Sequence, residues 1–164
     1  MPKHGQYRAL YVTDDDTTMA KAYAALVWDT TPDLDRVPTT SIEVADNRRE
    51  AESVTDTSDV DVSYTGSRKV QATVSVEAMT EGDTDVGKRI LLDAYHNNTE
   101  IGVCIIRGKK TVADSNADDQ FGYWFNARVV QDPSSANNDS VISGDFILVP
   151  SNSTYFEDVK PSLT

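Results

Sequence analysis

Few residues in this chain have the types that covalent chemistry requires. The 164 residues include two histidines, His4 and His96, and one cysteine, Cys104. A catalytic triad needs a nucleophile, an imidazole base and an orienting acid. His4 lies near the amino terminus, and His96 lies at the end of a predicted helix, where a positive charge is favourable. Cys104 sits in the apolar run IGVCIIR, which is typical of an inert buried thiol. We therefore predict that the protein has no catalytic residues and is not an enzyme.

Carboxylates are the other abundant group that could do chemistry. They cluster at 14–16, 83–85 and 118–119. A pair of them could serve a hydrolase, but each cluster falls in a predicted loop, where a solvated turn is the simpler interpretation. The run DSNADD at 114–119 loosely resembles a calcium loop, although it lacks the turn glycine and distal glutamate of an EF-hand. We predict no metal site and no cofactor, with calcium binding at 114–119 as an open alternative.

The charge balance excludes a conventional nucleic-acid binder. Lys and Arg number 15 and Asp and Glu number 27, so the formal net charge is −12. Such proteins gain affinity by neutralising phosphates with basic side chains, and this surface would repel them. The amino terminus lacks the pattern of a secretory signal, and no apolar run approaches membrane-spanning length. The sequence predicts a protein made in a cytoplasm, with no membrane partner.

Alternating residues predict the strands that must position any functional surface. RKVQATVSVEAM (68–79) alternates apolar and polar side chains, as does VDVSY (60–64), and TGSRK between them carries Gly66. This pattern predicts a hairpin of two strands with one polar face. Further strands are predicted at YRALYV (7–12), EIGVCIIR (100–107), FGYWFNARVVQ (121–131) and SVISGDFILVP (140–150).

One helix is predicted from GDTDVGKRILLDAYHNN (82–98). Asp83 or Thr84 can cap it, and Asn97 or Asn98 can close it. Its apolar stripe consists of Val86, Ile90, Leu91, Ala94 and Tyr95. MAKAYAALVW (19–28) fits either a helix or a buried strand, and we favour a strand that ends at Trp28 because a turn follows.

Two polar segments are predicted to lie outside the regular elements. The segment 46–59 is charged and poor in large apolar residues, which predicts a long loop that is either a contact arm or a surface excursion. The segment 151–164 resembles an arm that docks on another surface. The chain as a whole is predicted to be mainly β, with a single sandwich or barrel domain of two sheets over 1–150, one flanking helix and a carboxy-terminal arm.

The order of these elements resembles the major tail proteins, or tail tube proteins, of long-tailed bacteriophages. The resemblance rests on QATVSVEAM, TEGDTD, VGKRILLDAYHNN, EIGVCIIRG, FGYWFNARVVQ and VISGDFILVPS in this order, after YRALYV and the polar stretch that follows SIEVAD. It implies a structural protein whose hexameric rings stack into a tube. A tape measure protein first fills the lumen, the genome later passes through it, and terminator and baseplate proteins close its ends. The resemblance places the protein in the tail of a virion assembled in the host cytoplasm.

The resemblance assigns roles to two sets of residues. The polar face of the predicted hairpin would line the lumen and repel DNA through Asp59, Asp61, Ser63, Gln71, Thr73, Ser75 and Glu77. Contacts between neighbouring rings would come from the polar loop, the hairpin turn and the arm: Asn47, Arg48, Arg49, Glu50, Glu52, Arg68, Lys69, Tyr155 and Phe156.

Three alternatives stay open at this stage. A tail terminator or a baseplate hub subunit would have a related fold but would not stack indefinitely. A monomeric β-sandwich that binds carbohydrate or calcium would place exposed aromatic residues such as Tyr123 and Trp124 at its ligand site. A hydrolase would need a distinctive pair of buried acids or a site that contains histidine.

Overall fold

The computed structural model describes residues 8–28, 31–53, 62–76, 79–80, 85–107, 121–131, 135–136, 141–143, 145–151 and 155–160. Its elements in chain order are β1 (Arg8–Thr13), α1 (Asp16–Met19), a 3-10 turn (Tyr23–Ala25), β2 (Asp35–Val37), β3 (Thr39–Ser53), β4 (Val62–Val76), β5 (Met79–Thr80), α2 (Val86–Asn97), β6 (Glu100–Arg107), β7 (Gly122–Gln131), β8 (Ser135–Ala136), β9 (Val141–Ser143), β10 (Asp145–Pro150) and β11 (Phe156–Val159). The predicted mainly β fold with one main helix is confirmed.

Eight of these strands form one antiparallel sheet in the order β2-β1-β6-β7-β10-β4-β3. The eighth strand, β11, pairs with the amino-terminal half of β7, while β10 pairs with the carboxy-terminal half of β7. The sheet curls, because residues of β1 and β3 lie within 8 Å of each other although four strands separate them in its order. A smaller three-stranded sheet has the order β5-β9-β8.

The two faces of the sheet are buried by different elements. The inner face gathers Leu10, Val74, Val103, Phe125 and Phe146 around the apolar side of α2. The opposite face of β1, β6 and β7 is covered by residues 21–28 and 31–34 and by residues 155–160. Together they form the second cluster: Ala9, Tyr11, Leu26, Leu34, Cys104, Ile106, Trp124 and Val159. Because both faces of β6 are covered, its side chains from 101 to 106 are all buried.

Helix α2 begins and ends at capping residues. The side chain of Asp85, rather than that of Asp83 or Thr84, accepts a hydrogen bond from the N–H of Lys88, and Asn98 ends the helix with φ of 52°. Ile90, Leu91 and Ala94 are buried as predicted, whereas Val86 and Tyr95 are 56% and 37% exposed. The buried apolar face of α2 is therefore narrower than the sequence pattern predicts.

The predicted hairpin between 60–64 and 68–79 is wrong. The segment from Val62 to Val76 is one strand, β4, which pairs along its whole length with β3. Gly66 does not form a turn. It lies where the register shifts, since Arg48 pairs with Arg68 but Glu50 pairs with Thr65. A glycine inside a strand often marks such a bulge.

The long loop predicted at 46–59 is also wrong over its first half. Residues 46–53 belong to β3, because the β3–β4 ladder continues to the pair of Ser53 with Val62. Residues 54–59 lie outside the described residues. Polar composition indicated a loop here, but the backbone hydrogen bonds of a ladder do not require apolar side chains.

Two further predictions differ from the structure. The segment 19–28, which was expected to be a strand ending at Trp28, begins at the last residue of α1 and contains the 3-10 turn, and Asp15 caps α1 before it. The N–H groups of Tyr23 and Val27 donate to the carboxylates of Glu157 and Asp33, at 2.9 and 2.8 Å, so side chains replace a strand partner. The strand predicted at 140–150 is divided between β9 and β10, which lie in different sheets.

The carboxy-terminal arm is partly an element of the main sheet. Phe156 and Val159 pair with Phe125 and Gly122 of β7, and Val159 is 2% exposed. Within this polar segment Val159 is buried, whereas the aromatic residues Tyr155 and Phe156 are half-buried.

Gly87 tests the packing of α2 on β2. A Cβ atom at this position would lie 2.8 Å from Cγ2 of Val37 and 2.9 Å from the carbonyl oxygen of Arg36. Helix propensity alone favours alanine by about 1 kcal/mol. We expect the clash to dominate, so that Gly87→Ala lowers the free energy of unfolding by about 1–3 kcal/mol in urea titration. The control Asp93→Ala, at an exposed position of the same helix, should leave stability equal or slightly higher; a stabilised Gly87→Ala would contradict this packing.

Candidate assembly surface

The predicted polar face of β4 exists and is four strands wide. Gln71 is exposed and Thr73 and Ser75 are half-buried, whereas Val70, Ala72, Val74 and Val76 are buried. Residues opposite each other in an antiparallel ladder share a face. The registers therefore place on this polar face Ser41, Glu43, Ala45 and Asn47 of β3, Lys69, Gln71, Thr73 and Ser75 of β4, Asp145 and Ile147 of β10, and Gln131 of β7.

Some predicted lumen residues lie on this face and others are not described. Ser63 belongs to β4, near the far end of the ladder. Asp59, Asp61 and Glu77 lie outside the described residues. The sequence analysis missed Glu43 and Asp145, although the alternation in SIEVAD marks Glu43 as a polar-face residue.

Hydrogen bonds fix the centre of the polar face. Ser75 Oγ donates to Asp145 Oδ1 in a short contact, and Gln131 Nε2 donates to the carbonyl oxygen of Asp145 at 3.4 Å. Thr40 Oγ1 donates to the carbonyl oxygen of Ser75 at 3.2 Å. These contacts join β3, β4, β7 and β10, so the face is presented as one surface.

The outer strand of this surface is a long sheet edge. β3 has 15 residues and pairs with β4; no other described strand pairs with it. An edge of this length presents a row of backbone N–H and C=O groups to any extended segment that approaches. Short or covered edges avoid such pairing, and β3 is neither short nor charged throughout.

Past the residues that pair with β10, β3 and β4 continue as a two-stranded ribbon. The ladder from the pair Asn47–Lys69 to the pair Ser53–Val62 has no further strand beside it among the described residues. Seven of the nine predicted contact residues lie on this ribbon: Asn47, Arg48, Arg49, Glu50, Glu52, Arg68 and Lys69. A two-stranded ribbon in water is marginally stable without a third element to pack on.

The other two predicted contact residues pack within their own chain. Tyr155 Oη donates to Glu157 Oε2 at 2.6 Å, and the Phe156 ring stacks on Phe125 with centroids 5.8 Å apart. Burial, assisted by the hydrogen bond to Glu157, raises the pKa of Tyr155 to about 12. Both side chains remain half-buried rather than buried.

Tyr123 joins the base of the ribbon to the core. Its Oη donates to Oδ2 of Asp46 at 2.8 Å, across from β7 to β3. Trp124 is fully buried, with its indole N–H donating to the carbonyl oxygen of Lys21 at 2.8 Å. The alternative of a binding module with these two aromatic residues exposed at its ligand site therefore does not fit, since Trp124 is buried and Tyr123 is half-buried.

The residues considered for covalent chemistry or metal binding lie in the following places. Cys104 is fully buried, and burial raises the pKa of its thiol. His96 is exposed in the last turn of α2. Within the described ranges, no group of three or more His, Cys, Asp or Glu residues could hold a metal ion, and the segment 114–119 lies outside them. Among the described residues, no helix is long and apolar enough to cross a membrane.

Comparison with known proteins gives fold relatives but no sequence family. No family model matches the chain, and no curated protein matches it. The SPP1 tail tube structure matches with a TM-score of 0.58 at 17% identity, over 97% of this chain and 81% of that one. The chain has a tail-tube fold. Two further structures share this fold: the tail of an empty GTA particle (TM-score 0.54, 10% identity, 95% and 99% covered) and the anti-feeding prophage baseplate (0.52, 9%, 98% and 98%).

Within this tail-tube fold, the bond between Tyr123 and Asp46 offers a test of how the ribbon is anchored. Tyr123→Phe removes the donor and leaves a half-buried carboxylate with one partner fewer. We expect the free energy of unfolding to fall by about 1–2 kcal/mol, measured by urea titration. Tyr95→Phe, on the surface of α2, is the matched control and should be neutral; equal stability of both variants would show that the bond contributes nothing.

Proposed function

We propose that this protein is a structural, non-enzymatic component of a phage tail, whose hexameric rings stack into the tail tube. The observation that carries the proposal is the match of nearly the whole chain to the fold of the SPP1 tail tube. The GTA tail structure has C6 symmetry and the baseplate structure is six-fold symmetrised, which supports six copies per ring.

The long edge of β3 is consistent with the proposed ring. In a head-to-tail ring each copy offers one surface to the next, so every edge finds a partner when the ring closes. Pairing of β3 with the neighbouring copy would extend the polar face from one subunit to the next and would cover the backbone groups that a single copy exposes.

The polar face would line the lumen. Among its described side chains, Glu43 and Asp145 bring two negative charges and Lys69 one positive charge, while Gln71, Thr73 and Ser75 are neutral hydrogen-bonding groups. Asp59, Asp61, Ser63 and Glu77 stay proposed lumen residues. A polar wall with net negative charge repels DNA phosphates, so genomic DNA passes without binding.

The ribbon would reach a neighbouring ring. The ribbon is only marginally stable in one copy, and docking on another subunit would supply the packing that it lacks. Tyr155 and Phe156 would contribute only through the parts of their rings that remain exposed. The remaining partners follow from this role: a tape measure protein inside the tube, and terminator and baseplate proteins at its ends, in a virion tail assembled in the host cytoplasm.

A baseplate or terminator ring is the second candidate. The neighbour from the anti-feeding prophage baseplate favours it, because the fold covers 98% of both chains. The two candidates differ in one physical property: a tube protein stacks without limit, whereas a baseplate or terminator ring stops at one or two layers.

Electron microscopy of the purified protein at rising concentration, with size measurement in parallel, tests the proposal. We expect rings and hollow tubes of uniform bore, because the β3 edge and the ribbon both find partners in copies of the same chain. Rings that never stack would favour the second candidate. A particle that remains monomeric at every concentration would contradict a self-assembling role.

The proposed lumen has its own test in Glu43. Glu43→Lys reverses an exposed charge on the polar face, and we expect tubes of normal dimensions but at least about tenfold lower genome delivery, because the wall then attracts phosphates. Delivery is measured in phage that carry the variant. Asp93→Lys, on the exposed side of α2, makes the same change of charge away from this face and should deliver normally; equal delivery by both variants would remove Glu43 from the lumen.

A further inference from the structure

Two separate segments cover the second cluster on β1, β6 and β7. The first, which we call the strap, consists of residues 21–28 and 31–34, and the second consists of residues 155–159, which include β11. Beneath them Cys104 and Trp124 are fully buried. No described strand pairs with the strap, so contacts made by side chains, and no backbone ladder, hold it on the sheet.

The strap is closed on itself by one carboxylate. Asp33 Oδ2 accepts hydrogen bonds from the N–H of Val27 at 2.8 Å and from Nζ of Lys21 at 3.0 Å. The N–H of Asp33 donates in turn to the carbonyl oxygen of Val27 at 2.9 Å. The hydrogen bond from Val27 lowers the pKa of Asp33, so this carboxylate is ionised at neutral pH. Because these contacts converge on one residue, we expect the strap to move as a unit.

Apolar and aromatic contacts seat the strap on the sheet. Leu26 and Leu34 are 6% and 4% exposed. The ring of Trp28 meets the ring of Tyr11 edge-on, with centroids 5.0 Å apart. A segment that is held without a ladder opens at a lower free energy than the strands beneath it, so the strap can leave the sheet while the inner core stays folded.

Glu157 joins the strap to the carboxy-terminal segment. Its Oε2 atom accepts one hydrogen bond from the N–H of Tyr23 in the strap, at 2.9 Å, and another from Oη of Tyr155, at 2.6 Å. Burial, and then the hydrogen bond to Glu157, raise the pKa of Tyr155 to about 12, so its hydroxyl remains a donor at neutral pH. Departure of either segment therefore breaks a hydrogen bond that involves the other.

β11 also occupies one side of β7. Its four residues pair with residues 122–125, and β10 takes over on the same side only from Ala127 onward. If β11 left the sheet, the N–H and C=O groups along this side of β7 would be free to pair with another extended segment. The position of β11 therefore decides whether the protein presents a second sheet edge in addition to that of β3.

We propose that the strap and residues 155–159 form one lid, latched by Glu157, which opens and closes as a unit and keeps the edge of β7 occupied while it is closed. The shared acceptor makes the opening cooperative, since its two donors lie in different segments. No described ladder joins the two segments in its place. The lid is a property of the single chain, so this inference does not depend on the proposed tail function.

The chain contains its own reporter of the lid. Cys104 is the sole cysteine and is fully buried beneath the lid. Its rate of reaction with an aromatic disulfide reagent, under native conditions, therefore measures how often the lid opens. We expect Glu157→Ala to raise this rate at least about tenfold, because two donors lose their acceptor. Glu157→Gln keeps an acceptor oxygen and should stay within about threefold of wild type. Asp93→Asn, which removes an exposed charge on α2, should leave the rate unchanged.

Hydrogen exchange distinguishes one lid from two independent covers. Tyr155→Phe removes a donor that belongs only to the carboxy-terminal segment. If Glu157 couples the segments, the amides of 21–28 and of 155–159 should both exchange faster in this variant, by the same factor. The amides of α2, which packs on the inner core, should exchange as in wild type.

The outcomes separate local opening from global unfolding. Faster labelling of Cys104 in Glu157→Ala, together with parallel exchange of both segments in Tyr155→Phe, supports the latch. Faster exchange of 155–159 alone overturns it, because the two segments then open separately. Labelling of Cys104 at no more than the rate of global unfolding, or α2 amides that accelerate as much as the lid, also overturns it, because no separate opening of the lid then exists.

Discussion

The rest of the structure depends on β7 having a strand on each side along its length. β6 covers one side, and the other side is divided between β10 and β11, which follow each other in the chain. This pairing places Phe125 in the inner core and Trp124 in the outer cluster. It holds β10 where it can bind β4, and so it positions the polar face. The carboxy-terminal segment, polar by composition, is needed to complete the central strand.

The body of the sheet and its ribbon have different physical roles. Where β1, β6 and β7 pair, helix α2 covers one face of the sheet, and residues 21–28 and 31–34 cover the other. The β3–β4 ladder continues past the residues that pair with β10, and no other described strand pairs with the ribbon there. A two-stranded ribbon gains stability when a third element packs on it, and the long edge of β3 presents backbone groups with which another strand could pair.

Local patterns were sufficient for several elements. The alternation in 68–79 identified the polar face of β4 correctly, and β6 has the predicted bounds, because an apolar run between turns reflects burial of that strand alone. The caps and the 3.6-residue stripe located α2. Fold class followed from the order of such elements. For the assembly surface, Gln71, Thr73 and Ser75 were predicted on the correct face, and the ribbon collected most of the predicted contact residues.

For β1, β6, β7 and α2, the sequence by itself determined whether the segment is extended or helical and which side chains seek a core, since both depend on neighbours within a few residues. For 19–28 and 46–53 it did not, because long-range contacts decide those segments. Only the tertiary structure decided which strands meet. TGSRK has the composition of a turn, yet β4 runs through it, because fifteen residues of β3 offer a longer ladder than a local hairpin would. The segment 140–150 is divided between two sheets, and Arg8 pairs with Arg107 in the β1–β6 ladder. Both features depend on strands that are distant in the chain, so a pattern within a few residues does not predict them.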